Sequence, residues 1–458
     1  MKYSLRMTTA QHAVLRSHLF PGDGKEAVAL LLCGRRTGED RHVFTVRRVH
    51  PVPYEACDRH YNRITWPTEA AEPLLKEAYG KEQAIVKVHG HGLDYRQFSP
   101  TDDRSDRAFF TAVTNFLDDS LPQASLIMLT DGGLFGRVLG DGGGKVLSPL
   151  SIMSIGHDLQ LWTTHASAEE AFTLRHAQAF GSRTSALLRH LSFAIIGCSG
   201  TGSIVAEQLA RLGAGRLVLV DPDNVEEKNL NRILNTGQED AYLSRPKVHV
   251  LASAIARMGL GQEVLPLHMN LINREAVMRV AECDVVFGCM DGAEGRHTLN
   301  RLATFYNLPY FDVGVRLDAD GNGGIDRIAG TVHYLQPGLS SLLSRGVYTM
   351  DRIKAEELRR TNPELYRRHL KEGYLRGVHE DRPAVISVNM FFASLAVNDF
   401  LARLHPYRTN ENAEFAYLGG SLSELQFYPE PEGSSCPLLT RHVGRGDVEP
   451  LLERPALS

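Results

Sequence analysis

Residues 193–221 read FAIIGCSGTGSIVAEQLARLGAGRLVLVD. Phe193–Ile196 is an apolar run of the length expected for a buried parallel strand, and apolar residues then recur at helical spacing. Three glycines lie between strand and helix: Gly197 permits a tight turn, Gly200 lets the main chain approach a phosphate, and Gly202 lets the helix lie close to the strand. The pattern predicts a strand, a glycine turn and a helix whose N-terminal N–H groups face an anion.

A carboxylate ends the next predicted strand, Leu217–Val220. Asp221 follows this strand directly, at the place where an acidic residue accepts hydrogen bonds from the hydroxyls of a ribose. Asp223 is the alternative for the same role. These residues predict a nucleotide site, and they do not distinguish a dinucleotide from ATP.

Four motifs follow in chain order: Asp221-Pro-Asp-Asn-Val225, Asn229-Leu-Asn-Arg232, Arg245-Pro-Lys-Val248 and Cys289-Met-Asp-Gly292. Together they resemble the ThiF/MoeB/ubiquitin-E1 family of adenylating enzymes. A dehydrogenase needs no basic residue directly after its ribose carboxylate, whereas Arg232 and Lys247 can be directed at a triphosphate. We therefore favour ATP over NAD. The resemblance implies a Rossmann-like, doubly wound α/β domain.

In that family, the C-terminal carboxylate of a small ubiquitin-like protein attacks the α-phosphate of ATP and releases pyrophosphate. The resemblance implies ATP and Mg²⁺ as cofactors, with catalysis mainly by positioning and charge stabilisation. Asn229 and Arg232 are implied to contact the phosphates and the developing charge. Lys247 is assigned to the α-phosphate region, and Asp291 is assigned to the magnesium ion.

An arginine before the glycine turn is implied to act on a second subunit. The segment Leu174-Arg-His-Ala-Gln-Ala-Phe-Gly181 resembles the family's N-terminal arm, in which an arginine reaches the partner subunit's triphosphate. We assign this role to Arg175, with Arg183 and Arg189 as alternatives. The assignment predicts a homodimer.

A second group of polar residues lies nearer the N-terminus. An apolar run leads into His89-Gly-His91, and histidines at positions i and i+2 of a strand point to the same side. Ser99 and Asp102 follow, and Glu26 lies upstream at the start of another predicted strand. The pattern H-x-H-x7-S-x2-D resembles the JAMM/MPN (JAB1-type) zinc peptidases, which remove ubiquitin-like proteins.

This second resemblance implies a catalytic zinc site. His89, His91 and Asp102 are the implied ligands, and the remaining position is left for water. Glu26 is the implied base toward the water and acid toward the leaving amine. Ser99 is implied to donate to the oxyanion of the intermediate.

The match to the peptidase family is not complete. Gly90 and Gly92 replace the usual serine or threonine between the histidines and the proline after the second one. A lone H-x-H is most often a surface strand pair, and Asp103 or Asp106 are alternative carboxylates. Only Asp102 keeps the spacing of the family.

The sequence predicts two α/β domains and a tail. They are a JAB/MPN-type zinc peptidase domain over 1–165, a ThiF/E1-like adenylation domain over 166–430, and a flexible C-terminal tail over 431–458. Strands that alternate with helices after the glycine turn predict a mostly parallel sheet. The boundary is expected near Thr163–Glu169, where apolar strands give way to a polar segment.

Composition limits the kinds of partner. The net charge of −4 and the interspersed acidic and basic residues show no footprint for nucleic acid. No uninterrupted apolar run reaches the ~18 residues of a membrane span, and polar residues break Val385–Leu401. The six cysteines lack the regular spacing of a disulfide framework. We expect a cytoplasmic protein that binds neither nucleic acid nor membrane.

Three functional hypotheses follow. The first is a bifunctional enzyme of a bacterial ubiquitin-like pathway that activates a modifier with a glycine-terminated tail, trims or removes it, and works with an E2-like protein. The second is an activator of a ThiS/MoaD-like sulfur carrier for cofactor biosynthesis. The third is a scaffold that binds the modifier without catalysis.

The cysteines decide whether activation proceeds to a thioester. The segment Gly338–Gly377, where E1 enzymes commonly carry the nucleophile, contains no cysteine. Cys198 lies beside a helix N-terminus, which can lower a thiol pKa, but its neighbours are needed by the phosphates. Cys436 lies in a stretch expected to be mobile and exposed. We expect release of the adenylate, with Cys436 as the alternative acceptor.

Overall fold

The computed structural model describes residues 1–92, 95–163, 171–320, 322, 324–372 and 383–458. These residues form two compact units. The first comprises Met1–Ala166, Thr304–Asn307 and His442–Pro455, and the second comprises Ser167–Ala303, Leu308–Arg441 and Ala456–Ser458. The predicted boundary near Thr163–Glu169 falls largely outside the described residues, so the predicted domain limits stay a prediction.

The first unit is built on a nine-stranded mixed sheet of order β11-β10-β1-β3-β2-β6-β7-β8-β9. Its strands and helices are, in chain order, β1 (Lys2–Thr8), α1 (Thr9–Leu19), β2 (Val28–Thr37), β3 (Arg41–Pro51), β4 (Asp58–Arg59), β5 (Ile64–Thr65), α2 (Glu72–Ala78), β6 (Ala84–His91), α3 (Pro100–Leu117), β7 (Gln123–Leu129), β8 (Leu134–Gly140), β9 (Lys145–Pro149), β10 (Ser151–Ile155) and β11 (Leu159–Trp162). Strands β4 and β5 form a separate two-stranded ribbon.

The strand period of two divides the core of this unit into two layers. Ala29, Leu31 and Cys33 of β2 pack in the same cluster as residues of α1, whereas Leu30 and Leu32 pack with α2 and α3. Helices therefore cover both faces of the central strands, which explains why β2 reads as a continuous apolar run. The sequence analysis did not predict β1, α1 or α3.

The second unit contains an eight-stranded sheet of order β14-β13-β12-β15-β16-β17-β18-β19. Its elements are α4 (Leu174–Phe180), α5 (Ser182–His190), β12 (Ser192–Ile196), α6 (Gly200–Arg211), β13 (Arg216–Val220), α7 (Gln238–Tyr242), α8 (Lys247–Arg257), β14 (Glu263–Leu267), α9 (Arg274–Ala281), β15 (Val285–Gly288), α10 (Ala293–Phe305), β16 (Tyr310–Ala319), β17 (Ile325–Leu335), α11 (Met350–Thr361), α12 (Pro363–Lys371), α13 (Ile386–Leu404), β18 (Tyr417–Ser421) and β19 (Gln426–Glu430).

Parallel pairing runs from β14 to β16, and the remaining strands β17, β18 and β19 are antiparallel. The first half of this sheet confirms the predicted Rossmann-like alternation of strands and helices. The expected mostly parallel character is limited to that half. The strand β17 and its hairpin with β16 were not predicted.

The parallel strands end at one common edge. Ile196 of β12 pairs with Val220 of β13 and with Gly288 of β15, and Gly288 pairs with Asp312 of β16. The parallel strands β13 and β15 flank β12 on opposite sides, so the order in which successive strands join the sheet switches sides here. Ligands of open α/β sheets bind in the crevice at such a switch point.

The C-terminal segment differs from the flexible tail that we expected over 431–458. Cys436, Leu451, Leu452 and Leu457 are each at most 1% exposed. Within the first unit, the Gly34 amide donates to the Gly444 carbonyl at 3.1 Å. The buried leucines of this Pro/Gly-rich segment are irregularly spaced and lie in neither an α-helix nor a strand. The segment therefore has no hydrophobic periodicity from which its burial could be predicted.

No membrane-spanning segment was predicted from the sequence. In the part of the chain that the structure describes, no helix combines the length and the apolar character needed to cross a membrane.

Candidate functional sites

The first candidate site lies on the side of β6 that faces α3. Alternation along β6 places Lys87, His89 and His91 on one side of the strand. The Nε2 atoms of His89 and His91 lie 3.2 Å apart, and His89 Nε2 lies 3.1 Å from Asp102 Oδ1. One ligand atom from each of His89, His91 and Asp102 fits within a 4.8 Å cluster.

The donor set suits a metal cation. Two imidazoles and a carboxylate are the ligands of a catalytic zinc ion. His91 Nδ1 is paired with the Tyr95 carbonyl at 2.9 Å, which orients its ring toward the cluster. Both histidines are buried, which is costly for polar groups that lack a strong partner. The structure thus brings the three predicted ligands together.

Local electrostatics favours the metal-binding forms of His89 and Asp102. Burial lowers the pKa of His89 below its ordinary value, and the nearby Lys87 cation lowers it further. Burial acts to raise the pKa of Asp102, but hydrogen bonds with His89 and Ser99 hold it below its ordinary value. A neutral imidazole and an ionised carboxylate are the forms that bind a metal.

Glu26 precedes β2 instead of opening it, and it lines the same cavity as His89, His91 and Asp102, with a volume of about 240 Å³. Burial and the negative charge of Asp102 raise the pKa of Glu26 to about 7. A carboxyl with such a pKa both accepts and returns a proton near neutral pH.

Ser99 has a structural role that the sequence analysis did not anticipate. It is the N-cap of α3: its Oγ accepts the Asp102 amide at 3.2 Å, and its own amide donates to Asp102 Oδ2 at 2.7 Å. This reciprocal capping box fixes the Asp102 carboxylate against the histidines. Ser-x-x-Asp before a helix is the sequence signal that could have revealed it.

Lys87 is a site residue that sequence reasoning missed. It is buried, lines the cavity and pairs with the buried Asp106. Asp106 also pairs with Arg137 at 2.8 Å. Its engagement by two cations leaves Asp106, an alternative carboxylate in the sequence analysis, outside the metal cluster. The other alternative, Asp103, pairs with Arg137 at 2.6 Å.

The second candidate site lies at the common strand edge of the second unit. The Gly197 amide donates to the Val220 carbonyl and the Cys289 amide donates to the Ile196 carbonyl, both at 2.8 Å. Gly197 has a φ of +90°, and a Cβ on Gly202 would lie 1.7 Å from the Gly197 oxygen. These two glycines therefore have the predicted roles in the turn and in helix–strand packing.

Asp221 is positioned by the glycine turn itself. Its carboxylate accepts the Cys198 amide at 2.6 Å and the Asp223 amide at 2.9 Å. Burial raises the pKa of Asp221, and the Lys247 cation opposes this shift. Asp223, the alternative, is more exposed and pairs with Lys247 at 2.8 Å. The Lys247 ammonium thus lies at this strand edge, where it forms an ion pair with the Asp223 carboxylate.

The other predicted nucleotide residues differ in their surroundings. Asn229 is buried, and its Oδ1 accepts the Glu226 amide at 3.1 Å. Arg232 is partly exposed and donates to the Lys228 carbonyl at 2.8 Å. Asp291 follows β15 and is exposed. Within the described part of the chain, no hydrogen bond or ion pair joins these three side chains, so their common role stays a prediction.

The predicted arm residue Arg175 lies on α4 and is exposed. Its guanidinium contacts Gln178 Oε1 at 3.4 Å. The alternative Arg189 lies beside Gly261, since a Cβ on that glycine would be 2.6 Å from its guanidinium. Gly261 precedes β14, which places Arg189 at the amino ends of the strands, away from the nucleotide edge of its own chain.

The cysteines correct two expectations. Ser434, Ser435 and Pro437 are exposed as expected, but Cys436 between them is only 1% exposed, so its thiol is not accessible. Burial and the charge of Asp221 raise the pKa of Cys198 well above its ordinary value, so the helix N-terminus does not activate this thiol. Burial likewise raises the pKa of Cys289 to about 12. None of these three thiols is a ready nucleophile in this conformation.

Comparison with known proteins bears on the second unit. The sequence profile of the ThiF family matches residues 173–434, more than half of the chain. Adenylyltransferase and sulfurtransferase MOCS3 of Danio rerio is 32% identical over 130 residues, which are 28% of this chain and 28% of that protein. Ubiquitin-like modifier-activating enzyme 5 of Drosophila melanogaster is 29% identical over 163 residues, 33% of this chain and 38% of that protein.

The chain thus spans less than two fifths of the length of these two relatives. Among solved structures, E. coli MccB with ATP aligns with 59% of this chain and 74% of its own, at 18% identity and a TM-score of 0.44.

Proposed function

Because the chain belongs to the ThiF family, we propose that its second unit adenylates the C-terminal carboxylate of a ubiquitin-like or sulfur-carrier protein at the expense of ATP. The observation that carries the proposal is the strand edge where the glycine turn, Asp221 and Lys247 meet. The backbone N–H groups donate hydrogen bonds and the lysine supplies a positive charge, and both favour the binding of a polyphosphate.

The reaction follows from this arrangement. The carboxylate of the modifier attacks the α-phosphate, an acyl-adenylate forms, and pyrophosphate leaves. Lys247 exchanges Asp223 for the α-phosphate and stabilises the charge that develops there. Arg232 would act on the outer phosphates, Asp291 would hold Mg²⁺, and Asn229 would contact the phosphates through its side-chain NH2.

A direct test traps the product. The full-length protein is incubated with ATP, Mg²⁺, hydroxylamine and a ubiquitin-like protein that ends in diglycine, and AMP release is measured. The proposal predicts AMP release that requires the modifier and is lost when its terminal glycine is removed. AMP release that is indifferent to the tail would refute the proposal.

We propose in addition that the first unit is a zinc peptidase of the JAB/MPN type. The clustering of His89, His91 and Asp102 beside a carboxyl with a pKa of about 7 supports this second function. Bound zinc would supply a Lewis acid and an activated water. Glu26 accepts a proton from the attacking water and delivers it to the leaving amine.

The two activities fit one pathway, in which the modifier is trimmed or removed by one unit and activated by the other. We propose that the chain works as a homodimer in the cytoplasm, with Arg175 reaching the partner's nucleotide. An E2-like acceptor would follow in a conjugation pathway, whereas a sulfur-carrier pathway needs none. Detection of modifier–protein conjugates or of a thiocarboxylate on the modifier separates these alternatives.

A scaffold without catalysis is the remaining hypothesis. It predicts modifier binding with neither AMP release nor cleavage. Metal analysis of the purified protein gives an independent test, because the peptidase proposal requires about one zinc per chain. A site that stays empty under zinc-replete conditions would exclude the peptidase and leave the adenylation proposal standing.

A further inference from the structure

The space beside Gly200 is occupied by a side chain from a distant helix. A Cβ on Gly200 would lie 2.3 Å from Asn389 Nδ2 and 3.4 Å from Arg232 Cδ. Gly200 is the first residue of α6, and Asn389 belongs to α13. The glycine is therefore required by the close approach of Asn389, a reason that the sequence analysis did not foresee.

Asn389 is buried yet lacks a side-chain partner. It is 4% exposed, and its side chain makes no hydrogen bond within the described part of the chain. Because this residue is largely enclosed and its amide makes no hydrogen bond to the described residues, the amide is available to an acceptor on a bound ligand.

The neighbours of Asn389 are donors or cations. The residue before α6, Ser199, makes no side-chain hydrogen bond to the helix, so the N-terminal N–H groups of α6 receive no cap from it. The Arg232 side chain also passes Gly200, with its Cδ 3.4 Å from the position of a Cβ on that glycine. The helix N–H groups and the amide NH2 are donors that face the same space. The guanidinium of the nearby Arg232 donates to the Lys228 carbonyl at 2.8 Å.

Helix α13 is held firmly enough to present this amide. Gln208 Nε2 of α6 donates to Ser394 Oγ of α13 at 2.9 Å. The Asn231 side chain donates to the Ala384 carbonyl, just before α13, at 3.4 Å. These contacts tie α13 both to the helix after the glycine turn and to the Asn229–Arg232 motif.

We propose that Asn389 is a further ATP-binding residue, whose amide NH2 donates to a phosphate oxygen of the nucleotide held at the N-terminus of α6. The inference rests on the proposed adenylation function. It assigns the amide to the triphosphate and not to the nucleoside, because its neighbours are the glycine turn and Arg232.

The competing explanation is a purely structural cap, in which the amide is rotated so that Oδ1 accepts an N–H group of α6. The two explanations differ for Asn389→Asp. An aspartate caps a helix at least as well as an asparagine, so a cap predicts unchanged or increased stability and unchanged ATP binding. A phosphate ligand predicts repulsion between the new carboxylate and the nucleotide.

The experiment measures binding of ATP and of adenosine by calorimetry, in Mg²⁺ buffer, to the full-length wild type and to Asn389→Asp. We expect the ATP affinity of the variant to fall at least tenfold, which is the scale of a hydrogen bond to a charged group. Adenosine affinity should stay within about twofold, because the nucleoside does not contact residue 389.

Asn398→Asp is the matched control, since Asn398 is an exposed residue of the same helix whose amide donates to the Ser394 carbonyl. It should bind both ligands as the wild type does. Should Asn389→Asp fail to fold, Asn389→Ala replaces it, with a loss of ATP affinity of several-fold and the same insensitivity of adenosine.

Equal ATP affinities of wild type and Asn389→Asp would overturn the inference and leave the adenylation proposal intact. Parallel losses for ATP and adenosine would also overturn it, because they indicate a distorted site. A wild type that binds no ATP would instead overturn the proposed function on which the inference rests.

Discussion

The two candidate sites differ in the kind of group that they leave unsatisfied. In the first unit, acceptors and metal ligands converge: two imidazoles and the carboxylates of Asp102 and Glu26. In the second unit, donors and cations converge at the glycine turn, with Asn389 and Arg232 beside it. One arrangement suits a cation and the other suits an anion.

This contrast teaches that ligand charge can be inferred from the local balance of donors and acceptors. In the first unit, two imidazoles and a carboxylate lie close enough together to bind one cation. The donors of the second unit are instead partly satisfied by the protein's own carboxylates, as in the Lys247–Asp223 pair. That pair must open when a phosphate arrives.

The largest expected effect is on cleavage by the first unit, where one substitution should remove catalysis and leave the metal bound. Glu26→Gln should reduce cleavage of a ubiquitin-like fusion by roughly 10²–10⁴-fold, the contribution of a general acid–base group, while zinc content stays at the wild-type level. His89→Ala should lose both zinc and cleavage. Zinc content measured by mass spectrometry beside a cleavage assay checks this, and zinc loss in Glu26→Gln would make Glu26 a ligand.

In the second unit, Lys247→Ala and Asp291→Ala should each lower the adenylation rate on the order of a hundredfold, because each removes a charge contact that strengthens in the transition state. Lys228→Ala is the control, since its ammonium is exposed and pairs with Glu226 at 3.2 Å. Single-turnover formation of AMP measures the rates. A loss in the control equal to that in Lys247→Ala would contradict the assignment.

The glycine turn offers a test of packing. Gly202→Ala places a methyl group 1.7 Å from the Gly197 oxygen, so α6 must move away from β12. Overpacking of this kind costs about 1–3 kcal/mol, and we expect a lower melting temperature together with weaker ATP binding. Gly433→Ala should change neither quantity, since a Cβ there meets nothing within 4 Å. Calorimetric unfolding of both variants measures the difference.

The smallest expected effect concerns the cysteines. Since Cys436 and Cys198 are buried, we expect no reductant-sensitive adduct when enzyme, ATP and modifier are combined. A non-reducing gel of the wild type and Cys436→Ser tests this. An adduct lost only in Cys436→Ser would show that the C-terminal segment opens to expose its thiol.

The features that could be predicted from the sequence are those that depend on residues close together in the chain. The glycine turn, β12, α6 and β13 follow from local spacing, and the alternation along β6 placed His89 and His91 on one side of the strand. Asn389 could not be found in this way, because its contact with Gly200 joins helices far apart in the chain. The burial of residues 442–455 likewise depends on packing against remote strands.

The role of Ser99 shows a different limit. Its offset from the histidines was interpreted as catalytic spacing, whereas the structure uses the same Ser99–Asp102 offset as a capping box. The capping box was visible in the sequence as Ser-x-x-Asp, and the catalytic interpretation of Ser99 stays a prediction. The structure adds that the cap itself holds Asp102 in place.

ATP–pyrophosphate exchange by the wild-type protein tests the central claim most directly. The account predicts exchange that depends on Mg²⁺ and on a ubiquitin-like or sulfur-carrier protein with a glycine-terminated tail, and no tight binding of NAD. Tight binding of NAD without any exchange in the presence of ATP would contradict it.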